Sequence, residues 1–138
     1  MPPRLVLPLT VEPSKPRLCH DGRYLNLWIR DLPFKLGHLS DLPRYVLPGH
    51  FQTTRNDKRG YQHVLLHPSS QTYFGFQWRG FFFVFRTLLF GWKASAFIYH
   101  KLGLVVSGAA RSLGVPVSQY IDDRHLGKLF TPDRKSVV

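Results

Sequence analysis

Tyr120-Ile121-Asp122-Asp123 sets two carboxylates side by side in a chain with eight Asp and Glu against nineteen Lys and Arg. Like charges that close repel one another, and a hard divalent cation is a natural counter-charge for their oxygens. Facing a basic surface, such a pair suits chemistry on phosphate. An ordinary solvated turn competes with that reading, because Asp tolerates tight bends. Either way the flanks describe a hairpin. Residues 115–121 have strand composition, and residues 124–130 read as the returning strand, with both carboxylates at the tip.

Several elements are available to position that hairpin. From residue 94 to 113, Ile98, Leu102, Val105, Ala109 and Leu113 recur at helical spacing, and Gly114 with Pro116 ends the helix. Residues 51–56 read as a strand that stops at the polar run 55–59 and Gly60. Residues 74–78 and 81–85 flank Arg79-Gly80, a hairpin turn. Ser69 suits the cap of one helical turn through Tyr73. A strand is expected within 17–30, a short helix around 36–42 and a loop over 88–93. Residues 1–16 hold five of the eleven prolines and should be extended. Hairpins with one long helix across them give an α+β layer rather than an alternating parallel sheet.

At 138 residues and 43% hydrophobic content, the chain can bury the core of about one domain. Its net charge of +11 and pI near 10.3 favour a polyanionic partner such as nucleic acid. No block of consecutive Lys and Arg and no strongly basic amphipathic helix supports a membrane partner. The one cysteine, Cys19, excludes an internal disulfide and a Cys-based zinc site. The amino terminus is too Pro-broken for a signal peptide, and no run approaches the roughly 20 apolar residues that span a bilayer. A soluble, intracellular protein is expected. His63 and His67 are separated by Val-Leu-Leu with no glutamate to act as a base, so a zinc-protease motif fails.

Five motifs then follow in order. They are Lys15-Pro16-Arg17-Leu18-Cys19-His20-Asp21-Gly22-Arg23-Tyr24-Leu25-Asn26, Asp57-Lys58-Arg59-Gly60-Tyr61-Gln62-His63, Tyr73-Phe74-Gly75-Phe76, Phe90-Gly91-Trp92-Lys93-Ala94-Ser95 and Tyr120-Ile121-Asp122-Asp123. Together they resemble the fingers and palm of a reverse transcriptase, an RNA-directed DNA polymerase, with the flavour of DIRS-type tyrosine-recombinase retroelements. The resemblance covers roughly residues 12 to 130. It implies a partial right-hand polymerase fold, with an antiparallel palm sheet packed on helices and no thumb. An extended segment at 1–16, a fingers and palm domain at 17–130 and a tail at 131–138 follow from it.

The implied activity is nucleotidyl transfer from a dNTP to the 3′ end of a DNA primer on an RNA template, with two Mg²⁺ or Mn²⁺ ions. Asp122 and Asp123 would be catalytic metal ligands, together with Asp57 or with Asn56 at the aligned position. Tyr120 and Ile121 would lie near the primer end. Arg17, and Lys15 beside it, match the position that grips the triphosphate, where a guanidinium binds phosphate oxygens in pairs. Tyr61 matches the aromatic gate under the sugar. Phe90, Gly91 and Lys93 match the loop against nucleotide and template, giving an apolar contact, close backbone approach and a phosphate contact. Trp92 would support that loop, and Asp21, Arg23 and Asn26 would be local scaffold.

The chain departs from the family pattern in three places. The first metal-binding Asp normally stands five residues before the aromatic gate, which here is Asn56, and Asp57 comes one residue late. Strand neighbours point to opposite faces, so Asp57 is expected to aim away from Asp122 unless a bulge intervenes. Ala96 replaces the usual proline of the loop motif. Fifteen residues follow Asp123, too few for a thumb. A non-catalytic nucleic-acid-binding remnant is therefore the alternative, and the number of converging carboxylates discriminates the two.

Overall fold

Both hairpins and the long helix anticipated above are present in the computed structural model, which describes residues 2–46 and 48–128. In chain order, strands β1 (Leu9–Glu12) and β2 (Arg17–His20) precede helix α1 (Arg23–Asn26) and strand β3 (Phe51–Asn56). Helix α2 (Pro68–Gln71), strands β4 (Gly75–Trp78) and β5 (Phe81–Val84) and helix α3 (Lys93–Ser112) follow. Strands β6 (Val117–Tyr120) and β7 (Asp123–Lys128) come last. The tail expected at 131–138 lies outside the described residues.

These elements form two units. The first joins the chain up to Pro33 with Arg59–Tyr99, and the second joins Phe34–Lys58 with the chain from His100 onward. In the first, β1 pairs antiparallel with β2, and β4 with β5. Arg79 and Gly80 have φ of 49° and 81°, the positive pair that a two-residue turn needs to match the strand twist. Leu66, Phe74, Leu88, Leu89, Ala94 and Tyr99 are the buried apolar residues of this unit. His20 is buried with them, its Nε2 3.0 Å from the Gly75 carbonyl and its ring edge-on to Phe85.

The second unit is built on a three-stranded antiparallel sheet in the order β3-β7-β6. Pairing runs without interruption from Phe51↔Lys128 to Asn56↔Asp123 and from Val117↔Leu126 to Tyr120↔Asp123. Leu39–Arg44 forms a 3₁₀ helix, later than the predicted 36–42, and the His38 amide donates to the Asp41 carboxylate at its start.

Helix α3 turns a different face inward from the one its apolar spacing predicts. Leu102, Val105 and Leu113 are exposed, whereas His100, Gly103 and Ser107 are buried. The cause is Gln119, which rises from β6 with its side chain buried. Its Nε2 donates to the His100 carbonyl at 3.2 Å, and its Oε1 accepts from the Ser107 hydroxyl. Gly103 leaves room for that amide, and the His100 carbonyl and the Ser107 hydroxyl satisfy it. The helix ends in paired bonds from Gly114 to Arg111 and from Val115 to Ala110, a Schellman arrangement with Gly114 at φ 79°.

The two helical glycines test this packing with opposite signs. A Cβ at Gly108 would meet nothing within 4 Å, so Gly108→Ala should stabilise by about 1 kcal/mol through helix propensity. A Cβ at Gly103 would collide with the Gln119 amide and sit 3.1 Å from the Arg124 guanidinium. Gly103→Ala should therefore destabilise by about 1–3 kcal/mol despite the same propensity gain. Urea melts of the two variants check the contrast.

Candidate carboxylate and nucleotide sites

In the second unit, Ile121 and Asp122 alone make the turn between β6 and β7, and Asp123 opens β7 opposite both Tyr120 and Asn56. The tip thus carries one carboxylate, not the two expected from the sequence. Ile121 has φ 49°, a left-handed conformation that costs a β-branched residue about 1–2 kcal/mol. The paired strands over-determine that strained turn.

Asn56 and Asp57 go to different partners. The Asn56 amide donates to Asp123 Oδ1 at 2.6 Å. The ladder continues without a bulge, because the Asp57 backbone N–H donates to the Asp122 carbonyl at 2.9 Å. Asp57 therefore lies beside Asp122 along the backbone, but its carboxylate accepts from Arg124 Nη1 at 2.7 Å. Arg124 is 11% exposed and Asp57 30%. Arg124 opposes Gln119 and so belongs to the helix-packed face of the sheet. Asn56, Asp123 and Tyr120 share the other face, which borders a cavity of about 780 Å³ lined also by Thr54, His125 and Leu39.

This donor set does not fit a two-ion centre. Asp122 and Asp123 bring two carboxylates, Asn56 brings no charge, and the third carboxylate is neutralised by a guanidinium. Among the described residues, no group of three or more His, Cys, Asp or Glu is placed to hold a metal ion. Arg124 was not anticipated as a site residue. Its position next to Asp123 carried the signal, since a register pairing Asn56 with Asp123 sets Arg124 diagonal to Asp57.

The first unit brings Arg17, Tyr61, Phe90 and Gly91 together. The Arg17 guanidinium lies 5.2 Å over the Phe90 ring, and Phe90 packs on Tyr61 at 5.1 Å between centroids. Tyr61 also meets Tyr99 edge-on. Gly91 has φ 101° and passes against β2, where a Cβ would run into the His20 carbonyl. Asn26 clamps the loop from below: its Nδ2 donates to the Gly91 carbonyl and its Oδ1 accepts from the Lys93 amide, each at 2.9 Å. Trp92 packs edge-on to Phe74. Lys93 is held by the Asp31 carboxylate and the Ile29 carbonyl, a partnership the sequence reading missed. Lys15 stands exposed on the turn between β1 and β2. Arg23 beside Asp21 holds that carboxyl at about 2 through its hydrogen bonds.

His100 gives the second unit a pH dependence. Burial first, and the Lys101 charge second, lower its pKa from 6.5. The unfolded chain therefore takes up this proton before the folded one, so His100 leaves stability intact above 6.5 and lowers it as pH falls below that value. Thermal melts at about pH 7.5 and about pH 5.5 should show a lower Tm at the acid value. His100→Gln should flatten the difference.

No protein-family model matches this chain, and no curated protein sequence does. Solved structures do. A foamy viral protease-reverse transcriptase in complex with double-stranded DNA matches at TM-score 0.75 and 18% identity, over 94% of this chain and 27% of that one. A second such complex matches at TM-score 0.72 and 21% identity, over 90% of this chain and 21% of the other. The native prototype foamy virus protease-reverse transcriptase matches at TM-score 0.70 and 21% identity, over 94% and 17%. This chain thus spans between about a sixth and about a quarter of the length of those proteins. Among the described residues, no helix is long and apolar enough to cross a membrane. Its mixed helix and antiparallel-sheet architecture is a reverse-transcriptase-like fold.

Proposed function

We propose that this chain is a fingers-and-palm region, over residues 17–130, of a DIRS-type retroelement reverse transcriptase that binds nucleic acid without efficient nucleotidyl transfer. The observation that carries this reading is the pairing at the hairpin: Asn56 with Asp123, and Asp57 with Arg124. A carboxylate held by a guanidinium is already charge-compensated and competes poorly as a ligand. The net charge of +11 and the double-stranded DNA held by two of the similar structures support a nucleic-acid partner. Arg17 and Lys15 are the candidates for phosphate contact, and Tyr61, Phe90 and Gly91 for the nucleotide. Lys93 would first have to leave Asp31.

Template-directed extension of a DNA primer on RNA, with dNTP and Mg²⁺ or Mn²⁺, is the second reading. It is favoured by Asp122 and Asp123 standing together at one hairpin of a reverse-transcriptase-like fold. Primed RNA template, dNTP and either ion separate the two. The expected result is template binding that weakens steeply with salt and no extension above background. Extension that disappears on Asp122→Asn would overturn the proposal. Asn56→Asp should add Mn²⁺-dependent thermal stabilisation that the unaltered chain lacks.

A further inference from the structure

The β4–β5 hairpin of the first unit carries an uncovered row of aromatic rings. Cross-strand pairing sets Phe76 against Phe83 and Trp78 against Phe81, so these four side chains share one face. Phe76 and Phe83 stack at 5.3 Å with 20° between planes, and Phe85 extends the row from Phe76 at 5.1 Å. Toward the tip the rings lie open, with Trp78 59% and Phe81 69% exposed. Phe82, on the opposite face, is also exposed. Folding gains nothing from leaving so much apolar surface in water, and patches of this kind mark binding sites.

Charge selects the class of partner. The Arg79 guanidinium lies 5.9 Å over the Trp78 ring at the tip of the hairpin. Between Asp57 and Asp122 the sequence has no Asp or Glu at all, while it has Arg79 and Arg86 on this hairpin and its exit. The acidic residues of the first unit are Glu12, Asp21 and Asp31, and each is already bonded, to Ser14, Arg23 and Lys93. Exposed rings beside a guanidinium, in a unit whose three acidic residues are already bonded, match bases and phosphates of an unpaired strand.

We infer that this face is a stacking platform for single-stranded nucleic acid, with Trp78, Phe81 and Phe83 taking base faces and Arg79 taking a phosphate. The inference rests on the nucleic-acid reading above and assigns it a surface remote in sequence from the Asp122 hairpin. Base faces and phosphates are common to RNA and DNA, so the platform accepts both sugars alike. A paired duplex hides its base faces, so the rings add nothing to duplex binding.

Fluorescence anisotropy with labelled poly-U, poly-dT and a duplex, across a salt series, tests it. Trp78→Ala with Phe81→Ala should weaken both single strands by about tenfold or more at fixed salt, with the salt slope and duplex affinity unchanged. Phe81→Tyr, which keeps a ring, should bind as the unaltered chain does. Arg79→Ala should reduce the magnitude of the salt slope by about one. Circular dichroism of each variant confirms that it is folded. Unchanged single-strand affinity after removal of both rings overturns the platform and leaves the proposed function standing. An unaltered chain that binds no nucleic acid overturns both. Concentration-dependent dimerisation abolished by the double variant, with strand binding intact, assigns the face to a second copy and overturns the inference.

Discussion

Gly91→Ala is expected to lower stability by about 3 kcal/mol or more, the largest effect of any single methyl group in the first unit. Two costs act together. The backbone at Gly91 has φ 101°, which an L side chain rarely adopts, and the new Cβ would run into the His20 carbonyl. That carbonyl cannot simply swing aside. The His20 amide is bonded to the Phe90 carbonyl at 3.0 Å, and the His20 ring is buried against Phe74 and Phe85. Gly80→Ala is the control, because Gly80 also has positive φ, 81°, but faces open space. It should cost about 1–2 kcal/mol. Equal losses at both positions, by urea titration, would show that the close approach to His20 contributes nothing.

Arg124→Met is expected to cost about 2 kcal/mol. It leaves the Asp57 carboxylate part-buried without its guanidinium, between the 3–5 kcal/mol of a fully buried broken pair and the roughly 0–1 kcal/mol of an exposed one. Met keeps most of the packing volume against Gly103 and Gln119, so the loss reports charge rather than a cavity. Asp57→Asn in the same chain should recover part of that loss, since an amide tolerates burial without a cation. A double-mutant cycle measures the coupling directly. Strict additivity of the two changes would remove the ion pair as a determinant of the hairpin.

The same pair of residues separates what local pattern reveals from what it conceals. Strand 51–56 was legible because a run of strand-forming residues ends at a polar turn, and the β4–β5 turn because Arg79-Gly80 sits between two aromatic runs. Helix α3 was legible in extent but not in orientation. Its apolar spacing selects Leu102, Val105 and Leu113, yet the inward stripe is His100, Gly103 and Ser107. A buried amide from β6, nineteen residues from His100, decides that choice through hydrogen bonds that no window along the helix contains.

The sequence by itself determined the strand at 51–56, the hairpins around Arg79-Gly80 and Asp122, the extent of the long helix, the two adjacent carboxylates, the amide where a third acid is expected, and the excess of positive charge. These depend on residue type and near spacing. Only the tertiary structure decided which groups neutralise which. Long-range register sets Asn56 against Asp123 and carries Arg124 to Asp57, and loop closure hands Lys93 to Asp31. Each pairing joins residues more than sixty positions apart, and charge balance at a site is settled by such contacts rather than by composition.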